Sequence, residues 1–325
     1  MSNGCNHARR RFLQSISVGC AYCAALPAKA KLLNYDLAAT EIAPGTWAVH
    51  GYSEYFSIDN GGNIVNVAFI EVPDGVVVVD TGPSKRYGEA LLALIQRTIP
   101  NKRVLRVYNT HHHPDHCFGN QAFESDLIAA PAGVIENLAL EGDGFAENLY
   151  RLVGDWMRGT APVVPGVVLD GEKETVGGRQ FSLFYLSGHT SADFVVRDDE
   201  TGVLFAGDLA FMFRAPTTPH ADIATWQNAI DVLSSTDRQL IFPGHGPHDA
   251  KGVSLEQTSD YLSWLDDTLR TAVEQGLTMN EAMALPIPSR FNSLSVLQSE
   301  FERSVVHLYP QLEDNLMPLI DVTRG

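Results

Sequence analysis

The stretch Thr110-His111-His112-His113-Pro114-Asp115-His116 places four histidines and one carboxylate within seven residues. Histidine nitrogens and carboxylate oxygens are the usual ligands of a hydrolytic zinc ion. Residues 103–108 upstream alternate polar and apolar side chains, which predicts a β-strand. Pro114 ends regular strand pairing because it lacks an N–H group and has a fixed φ. We therefore predict that the histidines lie on a loop leaving a strand end, where metal and active sites of α/β folds are common.

The spacing within this stretch divides its side chains between two directions. Residues two apart in extended backbone point to the same side, so we expect His111 and His113 to bind one metal ion. Asp115 and His116 follow the proline bend and are expected to turn toward a second metal ion. His112 points the opposite way, and we interpret it as a residue that packs behind the site. A solvated run of histidines is the alternative interpretation of the whole stretch.

The composition limits the fold and the partners. The 325 residues are 45% hydrophobic and 19% charged, which suffices for a buried core and argues against global disorder. The formal net charge of −16 repels phosphate backbones, so we expect a small-molecule substrate and no nucleic acid. Three of the four cysteines lie in residues 1–30, so no disulfide scaffold is predicted. We interpret Cys117 as a small buried residue, with a metal ligand or a nucleophile as the alternative.

Residues 1–30 are similar to a twin-arginine export signal. The sequence Arg9-Arg10-Arg11-Phe12-Leu13 matches the consensus, a short apolar stretch follows over residues 16–26, and Ala28-Lys29-Ala30 has the small-x-small cleavage pattern. We therefore expect a periplasmic protein whose folded domain covers residues 31–325. A disordered basic tail on a cytoplasmic enzyme is the alternative. No later segment reaches about 18 apolar residues, so we expect no membrane span in the mature chain.

The segments that flank the histidine stretch predict a βαβ unit. Residues 64–72 and 76–80 are apolar runs joined by a turn sequence, which predicts a hairpin. A helix is predicted to begin after Ser84, and a strand is predicted over residues 103–109. Asp80 stands at the end of the second apolar run, where an aspartate is commonly a turn residue.

Residues 131–158 predict one or two helices that are broken near residues 142–144, because glycine weakens a helix interior. Residues 160–178 are rich in proline and glycine and predict loop and turns. Farther along, three apolar strands end in a glycine beside a single histidine or aspartate, at His189, Asp208 and His245. A helical extension is predicted over about residues 250–325, whose apolar residues recur at helical spacing.

The pattern His-x-His-x-Asp-His of residues 111–116, together with the three later strand ends, resembles the metallo-β-lactamase superfamily. The resemblance implies an α/β fold, an αββα sandwich of two mixed sheets with helices outside. It implies a first metal held by His111, His113 and His189, and a second held by Asp115, His116 and His245. Asp208 would bridge the two metals, and Asp80 would support the metal loop from behind the ligands. Two zinc ions are expected, and such a ligand set also accepts iron or manganese.

Two metal ions about 3.5–4 Å apart can share a hydroxide that acts as the nucleophile. Asp115 is then expected to orient this hydroxide or to pass a proton to the leaving group. By resemblance, a bridging aspartate such as Asp208 is typical of glyoxalase II-like thioesterases, lactonases and phosphodiesterases, and is missing from metallo-β-lactamases proper. The expected activity is therefore hydrolysis of a thioester, ester or lactone.

Residues 60–66, 80–84 and 214–222 resemble the quinoprotein relay system zinc metallohydrolases, relatives of the SoxH proteins. This resemblance covers most of residues 40–310 and implies a partner, a periplasmic PQQ-dependent dehydrogenase system. Within residues 214–222, Arg214 and His220 are interpreted either as substrate contacts or as parts of an ordered proline-rich loop. Three other functions stay open: an iron persulfide dioxygenase with one metal, a β-lactamase-like amide hydrolase, and a non-enzymatic accessory of a quinoprotein.

Overall fold

The computed structural model describes residues 33–316, so the export signal predicted in residues 1–30 lies outside the described residues. Within residues 33–316, twelve strands form two sheets. The first sheet contains, side by side, β1 (Thr40–Ala43), β2 (Thr46–Val49), β3 (Val67–Val72), β4 (Gly75–Val79), β5 (Val104–Tyr108), β6 (Ile128–Pro131) and β7 (Val167–Leu169). The second sheet contains β8 (Lys173–Val176), β9 (Arg179–Leu186), β10 (Asp193–Asp198), β11 (Val203–Phe211) and β12 (Leu240–His245), again in chain order.

Both sheets are mixed. In the first sheet, β1 to β4 pair antiparallel and β4 to β7 pair parallel. In the second sheet, β8 to β11 pair antiparallel and β12 lies parallel to β11. Seven α-helices accompany these strands within the described residues: α1 (Lys85–Thr98), α2 (Pro114–Cys117), α3 (Ala132–Val153), α4 (Ile223–Ser235), α5 (Val253–Glu274), α6 (Met279–Met283) and α7 (Leu297–Leu316).

Alternating side chains of each strand build separate cores on the two faces of each sheet. Ile70 and Val77 of the first sheet pack with Phe194 of the second, so the sheets lie face to face. The outer face of the first sheet packs on α1, and the outer face of the second packs on α4 and α5. The layers are therefore helix, sheet, sheet, helix, which confirms the expected αββα sandwich. A further apolar cluster joins α5, α6 and α7.

The prediction that residues 131–158 are broken near residues 142–144 is wrong. Helix α3 runs without a break from Ala132 to Val153, and a short 3₁₀ turn follows. Gly142 is buried in this helix, and a β-carbon added there would lie 2.8 Å from Cβ of Pro162. The glycine thus permits the close approach of a neighbouring segment, an approach that sequence periodicity does not report.

The prediction of loop and turns over residues 160–178 is also wrong in part, because β7 and β8 lie there. Each is an edge strand of three or four residues, β7 of the first sheet and β8 of the second. Such short strands have too few residues to show a period, and they form because a neighbouring strand offers unpaired N–H and C=O groups.

The ends of several strands meet at one edge of the sandwich. Parallel pairing of β4 with β5 puts the segments that follow them side by side, and parallel pairing of β11 with β12 does the same in the second sheet. The Phe194 N–H group donates to the carbonyl oxygen of Thr110 at 2.7 Å and so joins the two sheets there. Among residues 33–316, no helix combines the length and apolar character needed to cross a bilayer.

Candidate metal centre

Asp80 anchors the histidine loop. It follows β4 directly, and its φ of 59° is a left-handed conformation that aspartate tolerates better than most residues. Its carboxylate accepts hydrogen bonds from the backbone N–H and the hydroxyl of Thr110, both at 2.8 Å. The same carboxylate lies 2.8 Å from Nδ1 of His116. The structure therefore places Asp80 behind a candidate ligand, fixing both the loop and the ring.

The first ligand group contains His111, His113, His189 and Asp208, all of them buried. One nitrogen or oxygen of each lies within 4.8 Å of the others. Nδ1 of His113 lies 2.9 Å from Nε2 of His189, and this same nitrogen of His189 lies 3.4 Å from Oδ2 of Asp208. The chain bends at His111 and is extended at His113, and both rings belong to one ligand group, as their spacing predicts.

The second ligand group contains Asp115, His116 and His245, again buried and within the same limit of 4.8 Å. Nε2 of His245 lies 3.4 Å from Oδ2 of Asp115. Asp208 lies between the two groups. Its Oδ1 is 3.1 Å from Nε2 of His116, and its Oδ2 is 3.3 Å from Nε2 of His245. One carboxylate therefore faces ligands of both groups.

The donor atoms fit metal ions. Nε2 of His111 is buried and has no hydrogen-bond partner among residues 33–316. Nε2 of His116 and Oδ1 of Asp208 are also buried and lie 3.1 Å apart, but without the geometry of a hydrogen bond. Buried polar atoms without partners are costly, so such a cluster is expected to be satisfied by a ligand. Imidazole nitrogens with carboxylate oxygens suit zinc, and iron or manganese are also accepted by such a set.

Hydrogen bonds behind the ligands orient the rings. The second nitrogen of His113, Nε2, lies 2.8 Å from Nδ1 of His220, and Nδ1 of His245 donates to the carbonyl oxygen of Ile64 at 2.7 Å. Such contacts to the nitrogen that does not bind metal select the tautomer and raise ligand basicity. His220, one of the residues of the proline-rich loop, therefore contacts a candidate ligand directly.

The protonation of the histidines agrees with metal binding. Burial lowers the pKa of His111 and His113 well below the usual value, and lowers that of His189 to about 3. These rings are therefore neutral and able to donate a lone pair. Burial would also lower the pKa of His116, but the carboxylates around it outweigh burial and raise this pKa well above its usual value. The same carboxylates favour a cation at the second group.

Two residues next to the ligands, His112 and Cys117, make contacts that indicate a structural role. Nε2 of His112 lies 3.5 Å from a carboxylate oxygen of Glu141, so the ring points toward α3 rather than into either ligand group. Cys117 is fully buried, and its thiol contacts the carbonyl oxygen of His113 at 3.1 Å. Burial raises the pKa of this thiol, which keeps it protonated and a poor nucleophile.

A cavity of about 70 Å³ opens beside the ligands. Its walls come from the loop before β3, from α3, from the proline-rich loop and from α7: Tyr55, Phe56, Ile64, His113, Pro114, Asp115, Phe145, Asn148, Leu149, Asp208, Arg214, Thr217, His220, His245 and Arg303. Arg303 was not predicted as a site residue, because the sequence of α7 shows only an amphipathic pattern. Asp193 was also not predicted, and its carboxylate accepts from the backbone N–H of His189 at 3.0 Å.

Comparison with known proteins agrees with this fold. Residues 60–245 match the family model of the metallo-beta-lactamase superfamily. A linear primary-alkylsulfatase from a Pseudomonas species is 22% identical over 288 residues, which cover 75% of this chain and 54% of the alkylsulfatase. The chain thus spans about half the length of that relative.

Two further similarities cover shorter parts of the chain. The acyl-coenzyme A thioesterase MBLAC2 from Bos taurus is 26% identical over 208 residues, covering 57% of this chain and 74% of the thioesterase. Among solved structures, a metallo-beta-lactamase from Pontibacter korlensis superimposes with a TM-score of 0.57 at 24% identity, covering 70% of this chain and 99% of that one. At this identity the structural similarity shows the fold alone. The closer resemblance to quinoprotein relay system hydrolases stays a prediction.

Proposed function

The chain belongs to the metallo-β-lactamase superfamily, and we propose that it is a dinuclear zinc hydrolase acting on a thioester, ester or lactone. The observation that carries the proposal is the position of Asp208. Its two carboxylate oxygens face His116 on one side and His189 and His245 on the other. A carboxylate shared in this way suits a pair of metal ions better than one.

The residues of the site have different roles in such a reaction. Two zinc ions, when bound, supply a Lewis acid and a water molecule whose pKa lies near neutrality. Asp208 keeps the two ligand groups together. Asp115 lines the cavity and lies 3.4 Å from Nε2 of His245, so we expect it to orient the attacking water and to pass a proton to the leaving group.

The thioester is our first choice of substrate. Support comes from the acyl-coenzyme A thioesterase, which is similar over more than half of this chain. The cavity of about 70 Å³ is small beside the roughly 300–1,000 Å³ of pockets that bury a drug-sized ligand. We therefore expect the cavity to take a small acyl compound, or only the reacting end of a larger one.

The decisive experiment measures metal content and hydrolysis on one sample. Protein purified without added metal is analysed for its elements, and the same sample is assayed with a panel of small thioesters. We expect about two zinc ions per chain with metal-dependent thiol release. About one iron per chain, no hydrolysis, and oxygen uptake with a persulfide would instead support the dioxygenase. Zinc-loaded protein active only on a β-lactam would support the amide hydrolase.

Two variants separate the role of Asp208 from general effects. Asp208→Ala should lose most hydrolysis, whereas Asp231→Ala removes a carboxylate from the solvent-exposed face of α4 and should keep it. A folded, metal-loaded Asp208→Ala protein with full activity would show the proposed mechanism to be wrong.

Sulfate-ester hydrolysis is the second candidate, because the alkylsulfatase relative covers 75% of this chain. The zinc-loaded sample can be tested with a linear alkyl sulfate by measuring the sulfate released. Sulfate release that exceeds thioester hydrolysis in kcat/KM would move the proposal to this reaction.

We also propose that residues 1–30 direct export to the periplasm, where the enzyme would assist a PQQ-dependent dehydrogenase system. Replacing Arg9 and Arg10 by lysine in the full chain should abolish its appearance in the periplasmic fraction. Equal periplasmic amounts of both forms would contradict export by this route. Complementation of a deletion strain by His113→Ala would indicate a non-enzymatic accessory.

A further inference from the structure

Two arginines line the cavity that also contains the metal ligands Asp115 and His245. Arg214 lies on the proline-rich loop after β11, and Arg303 lies on α7. They come from segments 89 residues apart in the chain and share one acidic partner, Glu300.

The charges of this group do not balance. An Nη atom of Arg214 lies 3.6 Å from one carboxylate oxygen of Glu300, and an Nη atom of Arg303 lies 3.7 Å from the other. Two guanidinium groups therefore face a single carboxylate. Arg214 is 2% exposed and Glu300 is 0% exposed, so these two form a buried pair. The surplus positive charge therefore lies on Arg303, which is partly exposed and lines the cavity. Nε of Arg214 has no hydrogen-bond partner within the part of the chain that the structure describes.

The backbone holds the two segments together. The N–H group of Ala215 donates to the carbonyl oxygen of Ser295 at 3.1 Å, and the N–H group of Ser295 donates to that of Phe213 at 2.9 Å. Phe213 and Val296 both have left-handed φ values, 55° and 53°, which bulky residues adopt only where the surroundings impose them. The arginines are therefore held at the cavity wall by the fold itself.

Aromatic and apolar side chains line the cavity beside the arginines, whereas the carboxylates Asp115 and Asp208 lie among the metal ligands. Tyr55, Phe56, Phe145 and Leu149 line the cavity, and the guanidinium of Arg303 lies 5.9 Å from the ring centroid of Tyr55. A guanidinium fork binds carboxylate, sulfonate or phosphate through paired N–H groups. The protein has a net charge of −16, so two arginines beside one carboxylate form an unusual positive region. This region is expected to attract an anionic group into the cavity.

We propose that Arg303, with Arg214 behind it, binds an anionic group that the substrate carries in addition to the bond that is hydrolysed. The inference rests on the proposed hydrolase function and narrows its substrates to acyl compounds with a carboxylate or similar group. The competing explanation is a buried ion pair that only stabilises the fold.

The first experiment compares two thioesters that differ in one charge, S-benzoyl-3-mercaptopropionate and its methyl ester, with thiol release as the readout. For the zinc-loaded enzyme, we expect kcat/KM for the anionic thioester to exceed kcat/KM for its neutral methyl ester at least about tenfold. Arg303→Gln should bring this ratio close to one. Arg303 is partly exposed, so the variant is expected to fold, whereas removing Arg214 would leave Glu300 buried without its nearer partner.

Arg270→Gln is the matched control. Arg270 pairs with Asp266 on the surface of α5 and lines a different groove, so the ratio should stay as in the unchanged protein. A ratio near or below one in the unchanged protein would overturn the proposal. So would an Arg303→Gln variant that lowers kcat/KM equally for both thioesters.

A binding measurement keeps the proposal separate from the hydrolase function. The zinc-loaded protein is titrated calorimetrically with benzenesulfonate and with methyl phenyl sulfone, its neutral counterpart. Tighter binding of the sulfonate, reduced at least about tenfold in Arg303→Gln and unchanged in Arg270→Gln, supports the anion site even if neither thioester is hydrolysed. Equal binding of sulfonate and sulfone would overturn the anion site whatever the enzyme hydrolyses.

Discussion

Replacing Asp80 by asparagine should weaken metal binding at the group of Asp115, His116 and His245 while keeping the backbone in place. Asparagine has the same shape and also tolerates the left-handed φ of 59°. Its amide, however, has one acceptor oxygen where the carboxylate has two. The backbone N–H of Thr110 donates to Oδ1 of the carboxylate, whereas the Thr110 hydroxyl and Nδ1 of His116 both lie 2.8 Å from Oδ2. A single amide oxygen cannot keep all three contacts.

The expected size of the effect follows from these contacts. Mutation of a partner behind a metal ligand typically lowers metal affinity about 10- to 100-fold, which corresponds to about 1.4–2.7 kcal/mol. His116 is 0% exposed and Asp80 is 2% exposed, so water cannot replace the lost interaction. One unsatisfied buried donor should also reduce the free energy of unfolding of the metal-free protein by about 1–3 kcal/mol.

A competition titration with a chromophoric zinc chelator measures the two binding steps separately. Asp80→Asn should weaken one step and leave the other close to that of the unchanged protein. Asp74→Asn, in the exposed turn of the same hairpin, removes the same charge away from the metal loop and serves as the control. If Asp80→Asn binds both zinc ions with unchanged affinity, the supporting role assigned to this carboxylate is refuted.

Three further outcomes are expected. His220→Ala removes the partner 2.8 Å from Nε2 of His113 and should lower zinc affinity at the first group about tenfold, measured by the same competition titration. In α3, Gly144→Ala meets no atom within 4 Å and should raise the free energy of unfolding in urea by about 0.5–1 kcal/mol, whereas Gly142→Ala meets the adjoining proline at 2.8 Å and should lower it by about 1–3 kcal/mol. Burial alone would raise the pKa of Asp249, but hydrogen bonds from neighbouring N–H groups outweigh it and lower this pKa, so its stabilising effect is present at neutral pH and is lost as the pH falls through the lowered value. The difference in unfolding free energy between the unchanged protein and Asp249→Asn should therefore shrink below about pH 4, and a constant difference from pH 7 to pH 3 would contradict this reasoning.

The local features of the site could be predicted because their cause is local. The spacing of His111 and His113 predicted that both face one metal, because residues two apart in extended backbone point to the same side. The structure places both in one ligand group, although the chain bends at His111. A glycine beside His189, Asp208 and His245 is visible in a single sequence. The predicted strand end at Asp208 is wrong, because β11 continues past an irregularity at Gly207 to Phe211. The structure brings these residues to one edge of the sandwich, because parallel strands place their carboxyl ends together.

Features that depend on the contact of distant segments escaped prediction. Gly142 lies within the unbroken α3 and leaves room for Pro162, and no helical propensity contains that contact. The sequence alone did not decide whether His220 contacts substrate or only belongs to the proline-rich loop. The structure shows its contact with His113, 107 residues away in the chain.

The sequence by itself determined the candidate ligands, because strand period, strand-end glycines and the histidine spacing are properties of neighbouring residues. Its resemblance to the superfamily implied the sandwich of sheets and the division of the ligands into two groups. Only the tertiary structure decided what lies around those ligands. Arg214 and Arg303 share Glu300 because α7 packs beside the proline-rich loop. Such a juxtaposition results from burying the apolar faces of the C-terminal helices, and the free energy of that burial depends on the whole core rather than on any one segment.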